Sequence, residues 1–198
     1  MKITEILIDL DDTLNLFTMP ALNEVGCPVG PYEYSAFNPT WGMDIVAAAN
    51  HLHLDRTFTK EEFWDSLSEE FWATVPVSNE AFAFLDYCRF LVGEENVCVL
   101  TAFHLDFEQP YVAAAKADWI KHFLPPWLHG SFLIGPDKKF CAHPGALLID
   151  DSSSNVQKFK ERGGHAITVP RPWNLLHAES SICLEYVKSQ MRGLLKWV

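Results

Sequence analysis

The chain has 198 residues and a formal net charge of −11 at pH 7, and 48% of its residues are hydrophobic. This length and composition predict a globular protein with one core and room for a smaller inserted subdomain, and they exclude a disordered chain. Such a negative protein binds nucleic acid and anionic membranes poorly, and no apolar run is long enough to span a bilayer.

The five cysteines are odd in number and include no C-x-x-C pair. Reduced thiols in a cytoplasmic protein are therefore expected. The chain enters an apolar strand pattern within its first residues, so we expect no signal peptide. Composition leaves the oligomeric state open, including a homodimer.

The first apolar run, Ile6 to Ile8, predicts a strand that is buried on both faces. Residues 16–40 are rich in Pro, Gly, Asn and Tyr and lack periodicity, which predicts a loop with one short helix at 19–25. Helices are then predicted at residues 41–50, 57–71 and 78–91.

Specific residues mark one end of two of these helices. Thr59 and Glu62 are spaced as a capping box at the start of the second helix. Gly93 is expected to end the third. The core residues predicted for the third helix are Phe82, Leu85, Phe90 and Leu91.

Strands and helices alternate in the second half of the chain. The predicted strands are 97–100, 131–134, 146–149 and 166–169. The predicted helices are 109–123, 156–162 and 181–196. This alternation predicts an α/β fold with a parallel sheet, in which ligands bind at the carboxyl ends of the strands.

Polar residues follow three of the predicted strands. Asp9 and Asp11 follow the first, Thr101 follows the second, and Asp150 and Asp151 follow the fourth. Carboxylates this close repel one another, and a hard cation with a preference for oxygen ligands relieves that repulsion. The i, i+2 spacing of the first pair suits a nucleophile beside a general acid/base. Singly, each residue could instead be a cap or a turn residue.

The D-x-D-x-T pattern after an apolar strand resembles the first motif of the haloacid dehalogenase (HAD) superfamily, most of whose members are Mg-dependent phosphatases. The other three motifs of that superfamily have matches in the expected order. The matching residues are Asp9, Asp11 and Thr13, then Thr101, then Lys138 (with Lys139 as the second candidate), then Asp150 and Asp151. The resemblance implies a Rossmann-like parallel-sheet HAD core, residues 1–15 and 92–198, with a small helical cap, residues 16–91, inserted after the first motif.

The resemblance also implies a role for each matched residue. Asp9 would be the nucleophile that forms an aspartyl-phosphate, and Asp11 would be the general acid/base. The residues implied to hold Mg²⁺ are Asp9, Asp11 through its backbone carbonyl, Asp150 and Asp151. The groups implied to bind the phosphoryl oxygens are Thr101, the backbone N–H of Ala102, and Lys138.

A closer resemblance covers most of the chain outside residues 18–60. The segment DWIKHFLPPWLHGSFLIGPDKKFCAHPGALLIDD is similar to the corresponding stretch of the 5'(3')-deoxyribonucleotidases, the cytosolic/mitochondrial type of 5'-nucleotidase. FWDSLSEEFWATVPV resembles an aromatic stretch of that family, and GGHAITVPRPWN resembles the end of its bacterial and phage members. The match places the motif lysine on Lys138. The aromatics implied to face the nucleobase are Phe17, Phe71 or Trp72, and Trp41, each of which could equally be ordinary core.

Three positions depart from the nucleotidase pattern. Asp12 stands where those enzymes usually have Gly, Ala102 stands where a hydroxyl residue is common, and Ser152 stands where Arg often lies. The last two changes remove contacts to phosphate or substrate. They leave the fine substrate preference open.

The sequence thus predicts Mg-dependent hydrolysis of a nucleoside monophosphate to nucleoside and phosphate. A cap inserted after the first motif would restrict access, which favours a small phosphomonoester as the partner. The alternatives are a HAD phosphatase for another small metabolite, a nucleic-acid end phosphatase, which the net charge disfavours, and a non-catalytic HAD-like scaffold. Base and sugar preference, and which of Asp150 and Asp151 ligates the metal directly, remain open.

Overall fold

The computed structural model describes residues 2–27, 44–53, 55–103 and 109–194. Five strands in these ranges form one sheet with the order β3-β2-β1-β4-β5, in which every neighbouring pair is parallel. The strands are β1 Glu5–Ile8, β2 Val97–Thr101, β3 Phe132–Ile134, β4 Ala146–Asp150 and β5 His165–Thr168. The predicted α/β fold with a parallel sheet is confirmed.

Strand β1 lies at the centre of the sheet, and Ile6, Leu7 and Ile8 of this strand are apolar and buried, as a strand covered on both faces requires. Ile8 pairs with Val99 of β2 on one side and with Ile149 of β4 on the other. This register brings the carboxyl ends of β1, β2 and β4 to the same edge of the sheet.

Helices cover both faces of the sheet. They are α1 Thr18–Glu24, α2 Ile45–Leu52, α3 Lys60–Asp65, α4 Glu69–Thr74, α5 Ala81–Val92, α6 Tyr111–Phe123, α7 Ser153–Glu161 and α8 Cys183–Leu194. The core of one face joins Leu7 and Leu148 to Phe159 of α7. The larger core lies on the other face and includes Ile8, Ile149 and most buried residues of α1 to α6. None of the helices within the described ranges is long and apolar enough to cross a membrane.

The helix predicted at 57–71 is two helices in the structure. Its capping box is confirmed, since Thr59 and Glu62 each accept a backbone N–H of the other. The break follows from two serines. The Ser66 hydroxyl donates to the carbonyl of Phe63, and the Ser68 hydroxyl accepts the N–H of Phe71 at 3.1 Å and so begins α4.

The predicted core of α5 is partly wrong. Phe82 is 49% exposed and Phe90 is 84% exposed, while Leu85 is buried. The buried stripe of α5 consists of Ala81, Phe84, Leu85 and Cys88. Phe82 and Phe90 of the predicted core lie outside this stripe. Gly93 ends the helix as predicted, with φ +85°.

Helices α1 to α4 lie between β1 and α5 in the chain, and α4 with the residues on either side of it contacts α6. Tyr111 of α6 donates its hydroxyl to the carbonyl of Leu67 at 2.8 Å, and Trp119 donates its indole N–H to the carbonyl of Val75 at 2.7 Å. Helix α5, which the sequence placed in the cap, contacts β1 and β2. The division into core and cap stays a prediction.

Candidate active site

The loop after β1 holds Asp9 at the edge of the sheet. The Asp9 N–H donates to the carbonyl of Ile149 at 2.9 Å, which extends the pairing of β1 with β4 by one residue. The next N–H, that of Leu10, donates to the Oδ1 atom of Asp9 at 2.7 Å. The carboxylate of Asp9 is therefore fixed at the point where the strand ends.

Three buried carboxylates meet at this edge. Asp9, Asp150 and Asp151 each offer an oxygen, and these atoms lie within 4.8 Å of one another. The structure therefore brings the predicted metal residues of motifs one and four together. The carboxylate of Asp11 lies outside this cluster, in keeping with the predicted ligation through its backbone carbonyl.

The two adjacent aspartates differ in their partners. Both oxygens of Asp150 accept hydrogen bonds, from Lys138, from the Ser152 N–H and from the Asn155 amide. The Oδ1 atom of Asp151 is buried and has no hydrogen-bond partner among the described residues. A buried carboxylate oxygen without a partner is costly, so this atom fits a divalent cation.

Lys138 lies inside the cluster rather than in a solvated turn. It is 3% exposed, and its Nζ atom contacts Oδ1 of Asp9 and lies 2.7 Å from Oδ2 of Asp150. The neighbouring Lys139 pairs instead with Asp137 near the surface. Of the two candidate lysines, the structure places Lys138 at the site.

The electrostatics of the cluster favour a cation. Burial raises the pKa of Asp9 to about 7, with Asp150 and Asp11 adding to the rise and Lys138 opposing it. Burial and the neighbouring carboxylates also raise the pKa of Asp151 well above its ordinary value. Burial disfavours the charged form of Lys138, but Asp150 and Asp9 outweigh it and raise its pKa. One buried lysine thus compensates only part of the negative charge.

Mg²⁺ is expected to compete with protons at this cluster. With a pKa of about 7, Asp9 is mostly protonated at pH 6 and mostly ionised at pH 8. Because a metal binds the ionised form, we expect Mg²⁺ affinity to be about tenfold weaker at pH 6 than at pH 8. Isothermal titration calorimetry at the two pH values measures this, and Asp9→Asn should reduce the dependence and leave the part that comes from Asp151. Equal wild-type affinities would contradict the prediction.

Thr101 ends β2 beside the cluster. It is fully buried, and its hydroxyl has no hydrogen-bond partner in the part of the chain that is described. A buried hydroxyl that is left unpaired at a strand end fits an anion that would accept its proton. Ala102 follows it and lines the cleft described below, whereas Thr101 does not line that cleft.

A second buried lysine was missed by the sequence analysis. The Nζ atom of Lys116 lies 2.7 Å from Oδ2 of Asp11 and 2.7 Å from the carbonyl of Ala102, and it lies 5.0 Å from the ring centroid of Trp72. The only signal in the sequence is that Lys116 falls within the buried stripe of α6, four residues after Val112 and three before Trp119.

Phe17, Trp64 and Trp72 form what we call the aromatic wall of the cleft. The ring of Phe17 stacks on Trp72 with centroids 5.0 Å apart and on Trp64 with centroids 6.0 Å apart, and the planes lie within 17° of parallel. Trp64 was not predicted. Phe71 packs edge-on behind Phe17, and Trp41 lies outside the described residues.

The cleft has a volume of about 310 Å³, at the lower end of the range of small-molecule sites. Its charged residues are Asp9, Asp11, Lys116, Lys138, Asp151 and Lys158. The aromatic wall lines it together with Ile45. Helix α7 contributes Ser154, Asn155 and Lys158, and Ser152 lies just before that helix.

Asp12, which departs from the nucleotidase pattern, joins the loop after β1 to the aromatic wall. It has φ +54°, a conformation that Gly adopts readily and Asp tolerates. Its carboxylate accepts the N–H groups of Phe17 and Thr18, both at 3.0 Å, and the Thr18 hydroxyl at 2.5 Å. Asp12 thereby fixes the backbone that carries Phe17.

No protein-family model and no curated protein matches this sequence. Solved structures do match the fold. A HAD family hydrolase from Deinococcus radiodurans, with bound phosphate and sodium, has a TM-score of 0.53 and 15% identity over 96% of each chain. A HAD-hydrolase from Bacillus subtilis, bound to magnesium, has a TM-score of 0.54 and 12% identity, covering 98% of this chain and 99% of that chain.

A haloacid dehalogenase-like protein from Agrobacterium tumefaciens matches with a TM-score of 0.55 and 12% identity, over 96% of this chain and 98% of that chain. In all three cases the match spans nearly the whole of both chains. The chain therefore has the α/β fold of the HAD hydrolases, and it places an acidic cluster that could bind a metal ion at the strand ends of that fold.

Proposed function

We propose that this protein is a Mg-dependent phosphomonoester hydrolase that acts on nucleoside monophosphates through an aspartyl-phosphate. The observation that carries the proposal is the buried cluster of Asp9, Asp150 and Asp151 at the strand ends, with Lys138 inside it and one oxygen of Asp151 that no described residue pairs. The bound phosphate and bound magnesium of two structural neighbours support the same chemistry.

In this proposal Asp9 is the nucleophile. Its Oδ1 atom accepts the Leu10 N–H and contacts Lys138, which leaves Oδ2 to attack phosphorus. The bond from Oδ2 to phosphorus forms as the bond to the leaving oxygen breaks. Lys138 keeps the nucleophile oriented, and Mg²⁺, held by Asp9, the Asp11 carbonyl and Asp151, would neutralise charge between carboxylate and phosphate.

In this proposal Asp11 moves the proton. Lys116 holds its Oδ2 atom at 2.7 Å, and the Asn15 amide donates to its Oδ1 atom at 3.0 Å. The protonated carboxyl would donate to the leaving oxygen in the first step. The resulting carboxylate would then take a proton from the water that attacks phosphorus and releases Asp9.

The aromatic wall supports a nucleotide as the substrate. Its three rings lie nearly parallel in the cleft that also contains Asp9 and Lys138. Bases stack on aromatic faces without strong sequence preference, with a gain of about 1–3 kcal/mol per base. In a nucleoside monophosphate the phosphate would lie beside Asp9 and Lys138, and the flat base would lie against the aromatic wall.

Phosphate release from a panel of deoxy- and ribonucleoside monophosphates and sugar phosphates, with and without Mg²⁺, tests the proposal. Metal-dependent release from nucleotides is the expected result. Activity on sugar phosphates alone would keep the phosphatase chemistry and reject the nucleotidase assignment. Silence on the whole panel, with no Mg²⁺ bound, would favour a non-catalytic scaffold.

Trp64→Leu is expected to raise KM for nucleoside monophosphates by about 5- to 150-fold, because one stacking surface is lost. Its KM for ribose 5-phosphate should stay unchanged, since that substrate has no base. Trp127→Leu, at a half-buried tryptophan outside the residues that line the cleft, is the matched control. Steady-state kinetics on both substrates measure the effect. An equal rise in KM for both would argue against stacking by the aromatic wall.

A further inference from the structure

We propose that residues 170–174, the sequence PRPWN after β5, form a clamp that positions the metal-binding carboxylate of Asp151 and the backbone of the catalytic loop. We call this segment the PRPWN clamp. The inference rests on the Mg²⁺ site of the proposed function and adds residues that lie outside the acidic cluster. It assigns Trp173 and Arg171 as positioning residues.

The first contact of the clamp orients the carboxylate of Asp151. The indole N–H of Trp173 donates to Oδ2 of Asp151 at 3.1 Å, and Trp173 is 7% exposed. Oδ1 of the same carboxylate is the buried atom that lacks a partner among the described residues. An indole nitrogen can only donate, so it keeps Oδ2 as an acceptor and leaves Oδ1 for the cation.

The second contact fixes the backbone of Asp151. The amide of Asn174 donates to the carbonyl of Asp151 at 3.0 Å and to that of Val169 at 2.8 Å, and Asn174 is 2% exposed. Its Oδ1 atom accepts the N–H groups of Arg171 and Leu176. The buried side chain of Asn174 thus joins residues of the clamp to one another and binds the clamp to the end of β4.

The third contact reaches the catalytic loop. The Nε atom of Arg171 donates to the carbonyl of Asp12 at 2.5 Å. Asp12 directly follows Asp11, whose own carbonyl is a proposed ligand. The clamp therefore holds both sides of the metal site, the Asp151 side through Trp173 and the first-motif side through Arg171.

Hydrogen-bonding partners of this kind fix the orientation of a metal ligand. Their loss typically weakens metal affinity by about 10- to 100-fold, because a ligand that can rotate must be ordered when the ion binds. The clamp is expected to act on Mg²⁺ affinity more than on the chemical step. High Mg²⁺ should therefore restore turnover in a clamp variant.

Trp173→Phe tests the proposal, since it removes the indole N–H and keeps an aromatic ring. Calorimetry with MgCl₂ on metal-free protein should give a Kd for Mg²⁺ about 10- to 100-fold weaker than wild type. The activity of the variant should fall at limiting Mg²⁺ and recover at high Mg²⁺. Trp127→Phe is the matched control and should bind Mg²⁺ as wild type does.

Arg171→Lys provides a second test that does not depend on the folding of Trp173→Phe, because it keeps the charge and removes the Nε donor. It should also weaken Mg²⁺ binding. Folded variants whose Kd stays within twofold of wild type would overturn the clamp and leave the proposed function standing. A wild-type protein that binds no Mg²⁺ by calorimetry would overturn both proposals.

Discussion

Asp9→Asn is expected to lower the rate of phosphate release by roughly 10⁴-fold or more, because an amide is not a nucleophile towards phosphorus. The amide oxygen can still accept the Leu10 N–H that now holds Oδ1 of Asp9, so the loop should keep its shape. The change also removes one of three close carboxylates, which should leave the fold intact. Initial rates with saturating nucleotide and Mg²⁺ measure the loss.

Asp118→Asn is the matched control, since Asp118 lies on α6 with a side chain that is 79% exposed. It should turn over at the wild-type rate. Acid quenching of the wild-type reaction followed by mass spectrometry should find phosphate on the peptide that contains Asp9. If Asp9→Asn kept even about a hundredth of wild-type activity, a residue other than Asp9 would have to be the nucleophile.

The parts of the site that the sequence predicted are those encoded by short local patterns. An apolar run followed at once by Asp9, or by Asp150 and Asp151, predicts both a buried strand and a carboxylate at its end. Because β1 and β4 are parallel neighbours, their carboxyl ends lie side by side, and predicting this requires no knowledge of distant contacts. Lys138 was reached through the resemblance, since its own surroundings predict a turn.

The residues that were missed depend on packing between distant elements. Lys116 lies 105 positions from Asp11, and Arg171 lies 159 positions from Asp12, yet each pair is in contact. In the sequence, Trp64 is only one more aromatic residue in an aromatic-rich stretch. It stacks beside Trp72 because the turn at residues 66–68 brings α3 and α4 together. No periodicity within one element contains this information.

Asp12 shows how a departure from a family pattern can be compensated locally. The left-handed backbone at this position favours Gly, and Asp tolerates it better than most residues. The carboxylate then accepts three hydrogen bonds from Phe17 and Thr18 that Gly could not accept. The sequence could identify the departure, but only the structure gives the partners.

Lys138→Met is expected to lower the free energy of unfolding by about 3–5 kcal/mol at pH 8 without metal, because it leaves buried carboxylates without their cation. Methionine is similar in length and unbranched, so the variant loses charge rather than volume. Urea unfolding in EDTA, followed by circular dichroism, measures the change. Phosphate release should be lost as well, since Lys138 contacts Asp9, the proposed nucleophile.

The destabilisation should be smaller at pH 5.5 than at pH 8. The pKa of Asp9 is already raised to about 7 by burial, and losing Lys138 removes the group that opposes the rise. Since the unfolded carboxyl has a pKa of about 3.9, both folded proteins take up protons that the unfolded chain does not as pH falls from 8 to 5.5. The variant takes up more of them than wild type does, because the pKa of its Asp9 is higher without Lys138. Protonation therefore favours the folded state and removes part of the penalty.

Lys139→Met is the control for this prediction, because Lys139 pairs with Asp137 near the surface and should change stability by at most about 1 kcal/mol. Mg²⁺ should restore part of the stability of Lys138→Met at pH 8, since the ion supplies the missing positive charge to the cluster. A loss of stability that was the same at both pH values and insensitive to Mg²⁺ would mean that Lys138 acts through packing. The charge of this lysine would then be dispensable for the fold.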